Sequence, residues 1–476
     1  MKLLQTMLIV PFFLAFGCER TAVPDKNTES LESGWSGRDT AGTQNGPPIE
    51  VSSALILEQG RRPKNMLWIT VDTLRWDYYN AVGYTNAVIT PNIDRILEGG
   101  VLLSKNRACA GWTMPSFLCS LSGQSQAALQ TWPYVNMDGE VDGLFQGEFP
   151  GMASYLKAEG FNTGLVTAQW YISEAFGLAT GHDVEYKYGA VSPDNTKELT
   201  DKVLELMGAQ SGDTPWFFHV HYFDPHMPYF NNDSFEMEGC PSEFVSSLDN
   251  RDQTYVMINN SYYDYSEPQR EACMAHIKAR YESEIRHVDQ EIGRLLDALE
   301  AGPGRDTLVV FFTDHGEAFD QRRGDYSFGW GHGSSLYDEM IGAVAAFYQP
   351  GNLKPAKVET ATSLLDVVPT SLALMGIETE QQFTGRVVDL ESDLPQFHTV
   401  YRRPATIQSV TTTTDKLIFP WGCMSPQYFD LEADPQELNN LYDLQNPRVA
   451  ELWGLLRPKV VELDAAQPDW SPCNPY

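Results

Sequence analysis

Four short stretches of the chain, residues 66–71, 164–168, 216–223 and 308–313, are apolar at most positions and show no polar alternation. Runs of that length and kind predict strands covered on both faces. Between them the period changes. From 281 to 300, Ile285, Val288, Ile292, Leu295, Leu296 and Leu299 recur on one face of a helix. Strands alternating with helices predict an α/β fold. Beyond about residue 395 the pattern shifts to a Thr-rich strand at 410–419, a second strand near 428–431 and a helix from 447 to 464. A main domain over 64–395 and a smaller C-terminal α+β subdomain over 396–476 follow from that shift. In open α/β sheets ligands collect beyond the carboxyl ends of the strands, and Asp72, Asp224 and Asp314 each stand just past such an end. Three strands therefore point to one site.

The amino terminus reads differently. Lys2 precedes an apolar run from Leu3 to Gly17, interrupted by Gln5 and Thr6 and closed by Cys18. A charged start with a short apolar core is the pattern of an export signal, and the run is too short to cross a bilayer comfortably. Leu14-Ala15-Phe16-Gly17-Cys18 resembles a bacterial lipoprotein processing site, so Cys18 is the expected lipidation point. That places the protein in the cell envelope, as a periplasmic or outer-membrane lipoprotein held to the membrane by its acyl chains. Residues 19–63 are rich in Ser, Thr, Gly, Glu and Asn and have no period, the composition of a flexible tether.

Charge removes one class of function. Lys and Arg number 33 against 64 Asp and Glu, a net charge of −31, so no broad basic face exists to displace counterions from a nucleic acid. Apart from Cys18, the cysteines at 109, 119, 240, 273, 423 and 473 form an even set that permits 15 disulfide connectivities in an exported chain. No pair has C-x-x-C spacing, so a structural zinc site or a thioredoxin-like centre has little support.

Each chemical segment has a plain structural reading beside a functional one. Asp72 suits a turn or a helix cap as well as a metal. Asp314 and His315 are adjacent at a strand end and suit a divalent cation that stabilises an anionic transition state. Asp224-Pro225-His226-Met227-Pro228-Tyr229 sets a carboxylate two residues from an imidazole in a turn stiffened by two prolines. Gly331-His332-Gly333 allows backbone to approach a ligand, or is merely a turn. In Trp112-Thr113-Met114-Pro115-Ser116, Thr113 looks like a helix N-cap. A hydroxyl at that position also sits against the positive end of the helix dipole, which favours a bound anion and, beside a metal, an alkoxide nucleophile.

The ordered set N-M-L-W-I-T-V-D-T-L-R, T-P-N-I-D, W-T-M-P-S, D-P-H-M-P-Y, T-D-H-G-E and G-H-G-S-S-L-Y-D-E resembles the sulfatase family of the alkaline phosphatase superfamily. The likeness continues through L-L-D-V-V-P-T at 364–370 to Y-F-D-L and D-P-Q-E-L near 428–438, and so spans about residues 64–465. The resemblance implies an alkaline-phosphatase-like mixed, mostly parallel sheet between helices. It also implies a metal-dependent hydrolase cleaving sulfate or phosphate esters, glycan esters among them. It makes Asp72, Asp314 and His315 metal ligands, Thr113 the nucleophile, and His226 and His332 binders of the transferred group or of a second ion with Asp224.

The chain departs from the formylglycine motif C-x-P-S-R, because Thr113 and Phe117 replace its first and last residues. Thr73 replaces a second carboxylate, which weakens a calcium site needing six to eight oxygens and favours zinc or manganese, with calcium implied only by the family. The departures keep two alternatives in view. One is a two-metal phosphodiesterase or phosphoglycerol-transferase-like enzyme; the other is a non-catalytic module that binds an anion or glycan.

Overall fold

The computed structural model describes residues 46–466, apart from 84–88, 136–140, 143–148, 150, 189–194, 231–237, 249–253, 255–256, 259–261, 303–305, 320–329, 403–404 and 421–424. The export signal, Cys18, residues 19–45 of the tether, Cys423 and Cys473 lie outside the described residues. The tether reading ran to Pro63, and here the structure differs. Ile49–Ser52 and Leu55–Leu57 pair as an antiparallel hairpin. Leu55 and Leu57 are buried, so this segment is anchored by apolar contacts too few to show as a period.

The centre of the molecule is an eight-stranded sheet in the order Ala356–Val358, Val101–Leu103, Ala345–Tyr348, Thr307–Thr313, Asn65–Val71, Trp216–Tyr222, Asn162–Thr167, Val184–Lys187. Five of its seven pairings are parallel, and the two antiparallel ones both involve Ala345–Tyr348. This is the mixed, mostly parallel sheet expected. Its central strands have no solvent face: Leu67, Ile69 and Val71 belong to one apolar cluster, Met66 and Trp68 to the other. The first cluster is closed by the helices Pro91–Gly99, Asn195–Ala209 and Glu267–Ala301, the second by Thr113–Ser122, Met152–Ala158 and Val367–Met375. Burial on both sides is why these strands read as unbroken apolar runs.

The register aligns the strand ends. Val71 lies opposite both Tyr222 and Thr313, so Asp72, Asp224 and Asp314 emerge along one edge of the sheet. The long helix is extended by the structure: it begins at Glu267, with a reciprocal cap between Ser266 and Gln269, rather than at 281. Its first half buries His276, Arg280, Ser283 and Glu284 towards the body, and polar residues on a buried face leave no hydrophobic period to read.

The C-terminal part is a four-stranded antiparallel sheet, Gln396–Arg402, Ala405–Thr411, Asp415–Pro420 and Gln427–Asp430, with Pro447–Ala466 packed on one side. The single strand expected at 410–419 is therefore two strands joined at Thr412–Thr414, where Thr412 turns back to bond Asp415. The other side of this sheet packs on Leu336, Tyr337 and Ile341. Cys240 and Cys273 form a disulfide, while Cys109 and Cys119 are buried thiols. Among the described residues no helix is long and apolar enough to cross a membrane.

Candidate active site

Asp72, Asp314 and His315 meet at the carboxyl edge of the sheet, fully buried, with one ligand atom from each lying within 4.8 Å of the others. Each side chain is oriented from behind. Asp314 Oδ1 accepts the backbone N–H groups of Thr73 (3.2 Å) and His315 (2.8 Å). Asp72 Oδ2 accepts from Gln169 Nε2 at 3.0 Å, and His221 Nε2 stands 3.5 Å away. His315 donates Nδ1–H to the Gly316 carbonyl at 2.9 Å, which fixes the tautomer with its lone pair on Nε2. The remaining oxygens, Asp72 Oδ1 and Asp314 Oδ2, are buried without any hydrogen-bond partner. They stand 3.5 and 3.4 Å from His315 Nε2.

These residues fit a divalent cation. Ligand atoms about 2.1 Å from one tetrahedral ion lie about 3.4 Å apart, the spacing seen between the unsatisfied oxygens and Nε2. The electrostatics agree. Burial pushes the Asp72 carboxyl up, but His226, His221 and His315 outweigh it and hold it below the usual carboxylate range. Burial, and then Asp72, push Asp314 well above its ordinary value. Burial and His332 press His315 down to about 3, leaving the imidazole neutral and able to ligate. Two buried carboxylates beside a neutral imidazole need either a proton or a cation between them.

Thr113 joins this group. Trp112, in extended conformation, is the cap of the helix Thr113–Ser122, so Thr113 is its first residue and not the cap that the sequence suggested. Its hydroxyl makes no capping bond and lies 3.2 Å from His315 Nε2. Ser116, one turn on, donates to the Asp314 carbonyl at 2.6 Å and ties the helix to the end of the strand Thr307–Thr313. Phe117, where the formylglycine motif has Arg, is buried with its ring edge-on to His221 at 5.0 Å.

His226 and His332 complete the rim, with ring centres 5.0 Å apart and His332 4.6 Å from His315. His226 donates Nδ1–H to the Met227 carbonyl at 2.6 Å, and burial lowers its pKa. Gly331 and Gly333 have φ of 73° and 80°, which explains glycine on both sides of His332. Gly333 N–H bonds the Gly111 carbonyl at 2.6 Å, so the His332 loop is latched to the loop before Thr113.

Asp224 is not brought into this group. Its Oδ2 accepts the Thr196 hydroxyl at 2.7 Å, and burial raises its pKa. It faces the long helix, where burial and then Asp224 push the Glu284 carboxyl well above its ordinary value. Among the described residues only one cluster of three metal-ligating side chains exists, so the second ion loses the carboxylate assigned to it.

Two neighbours were missed. Glu317 is buried, accepts from His332 Nδ1 at 3.1 Å and from the Tyr229 hydroxyl at 3.2 Å, and ends the T-D-H-G-E segment in which only Asp314 and His315 were singled out. Gln169 stands just past the strand Asn162–Thr167, where the strand-end argument would have named it.

The sulfatase family model matches residues 64–377. The choline-sulfatase of Rhizobium meliloti is 29% identical over 446 residues, covering 81% of this chain and 83% of that protein. The N-acetylglucosamine-6-O-sulfatase of Bacteroides thetaiotaomicron is 23% identical over 484 residues, with 81% and 83% covered. Among solved structures, a protein in complex with its substrate D-glucosamine-2-N,6-O-disulfate superposes with a TM-score of 0.62 at 18% identity, over 87% of this chain and 100% of that one. The phosphonate monoester hydrolase of Agrobacterium radiobacter gives 0.61 at 18% identity, over 85% and 96%. The chain belongs to the sulfatase family and is a sulfatase-like hydrolase.

Proposed function

We propose that this chain hydrolyses sulfate esters, with Thr113 as the nucleophile. The observation that carries the reading is the Thr113 hydroxyl, uncommitted to capping, converging with the two unpartnered carboxylate oxygens on His315 Nε2. Asp72, Asp314 and His315 would hold a divalent cation, which when bound lowers the pKa of an adjacent hydroxyl and offsets the negative charge of the transition state. Thr113 Oγ1, its proton released to solvent, attacks sulfur and the bond from sulfur to the leaving alcohol breaks; water then attacks the threonine ester, freeing sulfate and restoring the Thr113 hydroxyl. His226, anchored through Nδ1, lines the place of the transferred group and bonds its oxygens once Nε2 takes up a proton. His332, as the imidazolium with Nδ1–H held by Glu317, gives the departing alcohol its Nε2 proton and is left neutral.

Three ligands, one of them nitrogen, with a hydroxyl as the fourth, favour zinc or manganese over calcium, which takes six to eight oxygens. Threonine in place of formylglycine favours phosphate esters as a second substrate class. Sulfated glycans are the natural substrates we infer, in line with the relative named N-acetylglucosamine-6-O-sulfatase. We place the enzyme in the cell envelope, anchored through Cys18; globomycin-sensitive processing of the precursor tests this.

The experiment is elemental mass spectrometry of chelator-free protein, followed by turnover of aryl sulfate, phosphate monoester, diester and phosphonate. One zinc or manganese per chain with sulfate ester turnover is expected. Turnover unchanged in Thr113→Ala overturns the nucleophile, and absence of turnover on every ester in metal-loaded protein leaves the anion-binding module as the function.

A further inference from the structure

One aromatic side chain stands open beside the site. Trp170 is 50% exposed, and no other Trp, Tyr or Phe among the described residues is exposed to that degree. A single exposed apolar side chain carries little meaning. Trp170 has company: it follows Gln169, whose Nε2 bonds Asp72, and its ring centre lies 4.5 Å from that of Tyr171 and 4.9 Å from that of Phe176.

The local chain holds these rings in place. Past the strand Asn162–Thr167 it turns tightly, with the Ile172 N–H on the Gln169 carbonyl (3.2 Å), the Ser173 N–H on that of Tyr171 (3.0 Å) and the Phe176 N–H on that of Ser173 (3.2 Å). Ile172 is fully buried and pins the turn to the core. The Gln169 side chain reaches both ways, since Oε1 accepts the Tyr171 N–H at 3.4 Å while Nε2 holds Asp72. Rings on a fixed turn lose little freedom when a ligand settles on them.

Ring geometry decides what they can take. The Trp170 and Tyr171 planes are tilted by 32°, so Tyr171 backs one face of the indole. Phe176 lies 4.9 and 5.7 Å from the two ring centres at 83° and 82°, beside the pair and not beyond it. The other face of the indole is left open to solvent. One flat face suits a ring, whereas a quaternary ammonium is best held by several faces turned towards it.

These aromatics continue to the catalytic residues. Tyr171 meets Trp112 edge to face at 6.1 Å, and Trp112 precedes Thr113. Trp112 also borders the His332 loop, where a Cβ placed on Gly333 would come 3.4 Å from Trp112 Cβ. An aromatic wall therefore runs from the loop that carries His332 outwards to Trp170, on the side where the departing alcohol receives its proton.

We propose that Trp170 is a specificity-determining residue, a platform on which the sugar ring of the leaving alcohol rests its C–H face. The inference rests on the ester hydrolysis proposed at Thr113 and names what that site selects. The negative face of the indole attracts the C–H bonds that line one side of a pyranose, and covering it removes apolar area from water.

Steady-state kinetics of the metal-loaded full chain on N-acetylglucosamine 6-sulfate, choline sulfate and ethyl sulfate tests this. Trp170→Ala lowers the ratio of kcat/KM for the sugar ester to that for ethyl sulfate about tenfold, through KM and not kcat, and Trp170→Phe recovers most of the loss. An unchanged ratio, a loss carried by kcat on all three esters, no recovery in Trp170→Phe, a larger loss on choline sulfate, or failure of the sugar ester alone to react overturns the platform. If the wild type turns over none of the three, the hydrolysis reading fails by itself and calorimetric dissociation constants for the same esters decide. Sugar ester binding about tenfold weaker in Trp170→Ala then sustains the platform, and equal or absent binding overturns it.

Discussion

Two of the buried groups of charged side chains are wired in opposite ways. At the carboxyl edge of the sheet, Asp72 and Asp314 face each other with one unpartnered oxygen apiece and only a neutral imidazole between them. Where the C-terminal sheet meets the body, Asp338 is held by Arg107 through both oxygens (2.8 and 2.7 Å) and by Lys416, which also lies 2.6 Å from Glu437 Oε1. Burial alone would raise the Asp338 carboxyl, but Arg107 and Lys416 hold it far below its ordinary value, whereas Asp314 is pushed up. A saturated buried cluster serves to join two parts of the chain. An unsaturated one stores a charge deficit that a ligand removes, and that is the signature of a site.

The contrast can be broken in several places. Thr113→Ala should lower kcat roughly 10⁴-fold or more while the melting temperature stays put, as steady-state kinetics and calorimetry would show. Asp338→Asn should cost about 3–5 kcal/mol in denaturant unfolding, because Arg107 and Lys416 are left buried beside a neutral amide. Gln169→Leu removes the donor that orients Asp72, and metal affinity measured by competition with a chelator should fall about 10- to 100-fold. Asp314→Asn should have the opposite sign to Asp338→Asn: in metal-free protein it relieves like-charge crowding and should stabilise by about 1 kcal/mol. If both Asn variants destabilise equally, the two clusters are not different in kind.

The last effect concerns pH. His398 is depressed to about 3 in the folded chain, so below its unfolded value near 6.5 the unfolded state takes up a proton that the folded state refuses. Stability therefore falls as pH drops from about 6.5 towards 3, and His398→Asn should flatten that part of the melting-temperature profile.

What could be read from the sequence followed from burial. Strands covered on both faces announced themselves, and the aspartates after Val71 and Thr313 were legible because a polar residue ends an apolar run. The same rule overreached at Asp224, which ends its strand but turns to Thr196, and it was not carried to Gln169, where it holds. Glu317 had no periodic signal, since it acts from a loop, and its meaning comes only from the His332 ring folded against it. The first half of the long helix was invisible for a related reason. Arg280 and Glu284 are buried to hold the Tyr229 carbonyl and the Phe230 N–H, so the residues that shape the turn after His226 erase the apolar stripe that would have revealed the helix.

The Gly333 to Gly111 latch and the Asp338 cluster lie at either end of one short segment, residues 333–338. The His332 loop is thus suspended between the turn before the Thr113 helix and the C-terminal part of the chain, where Lys416 of the sheet and Glu437 of the loop after it hold its far end. Cropping the chain near residue 395 would accordingly not yield a minimal enzyme. It would cut one of the two moorings of the His332 loop, so in any shuffling of modules among relatives the last eighty residues must travel with the loop they hold.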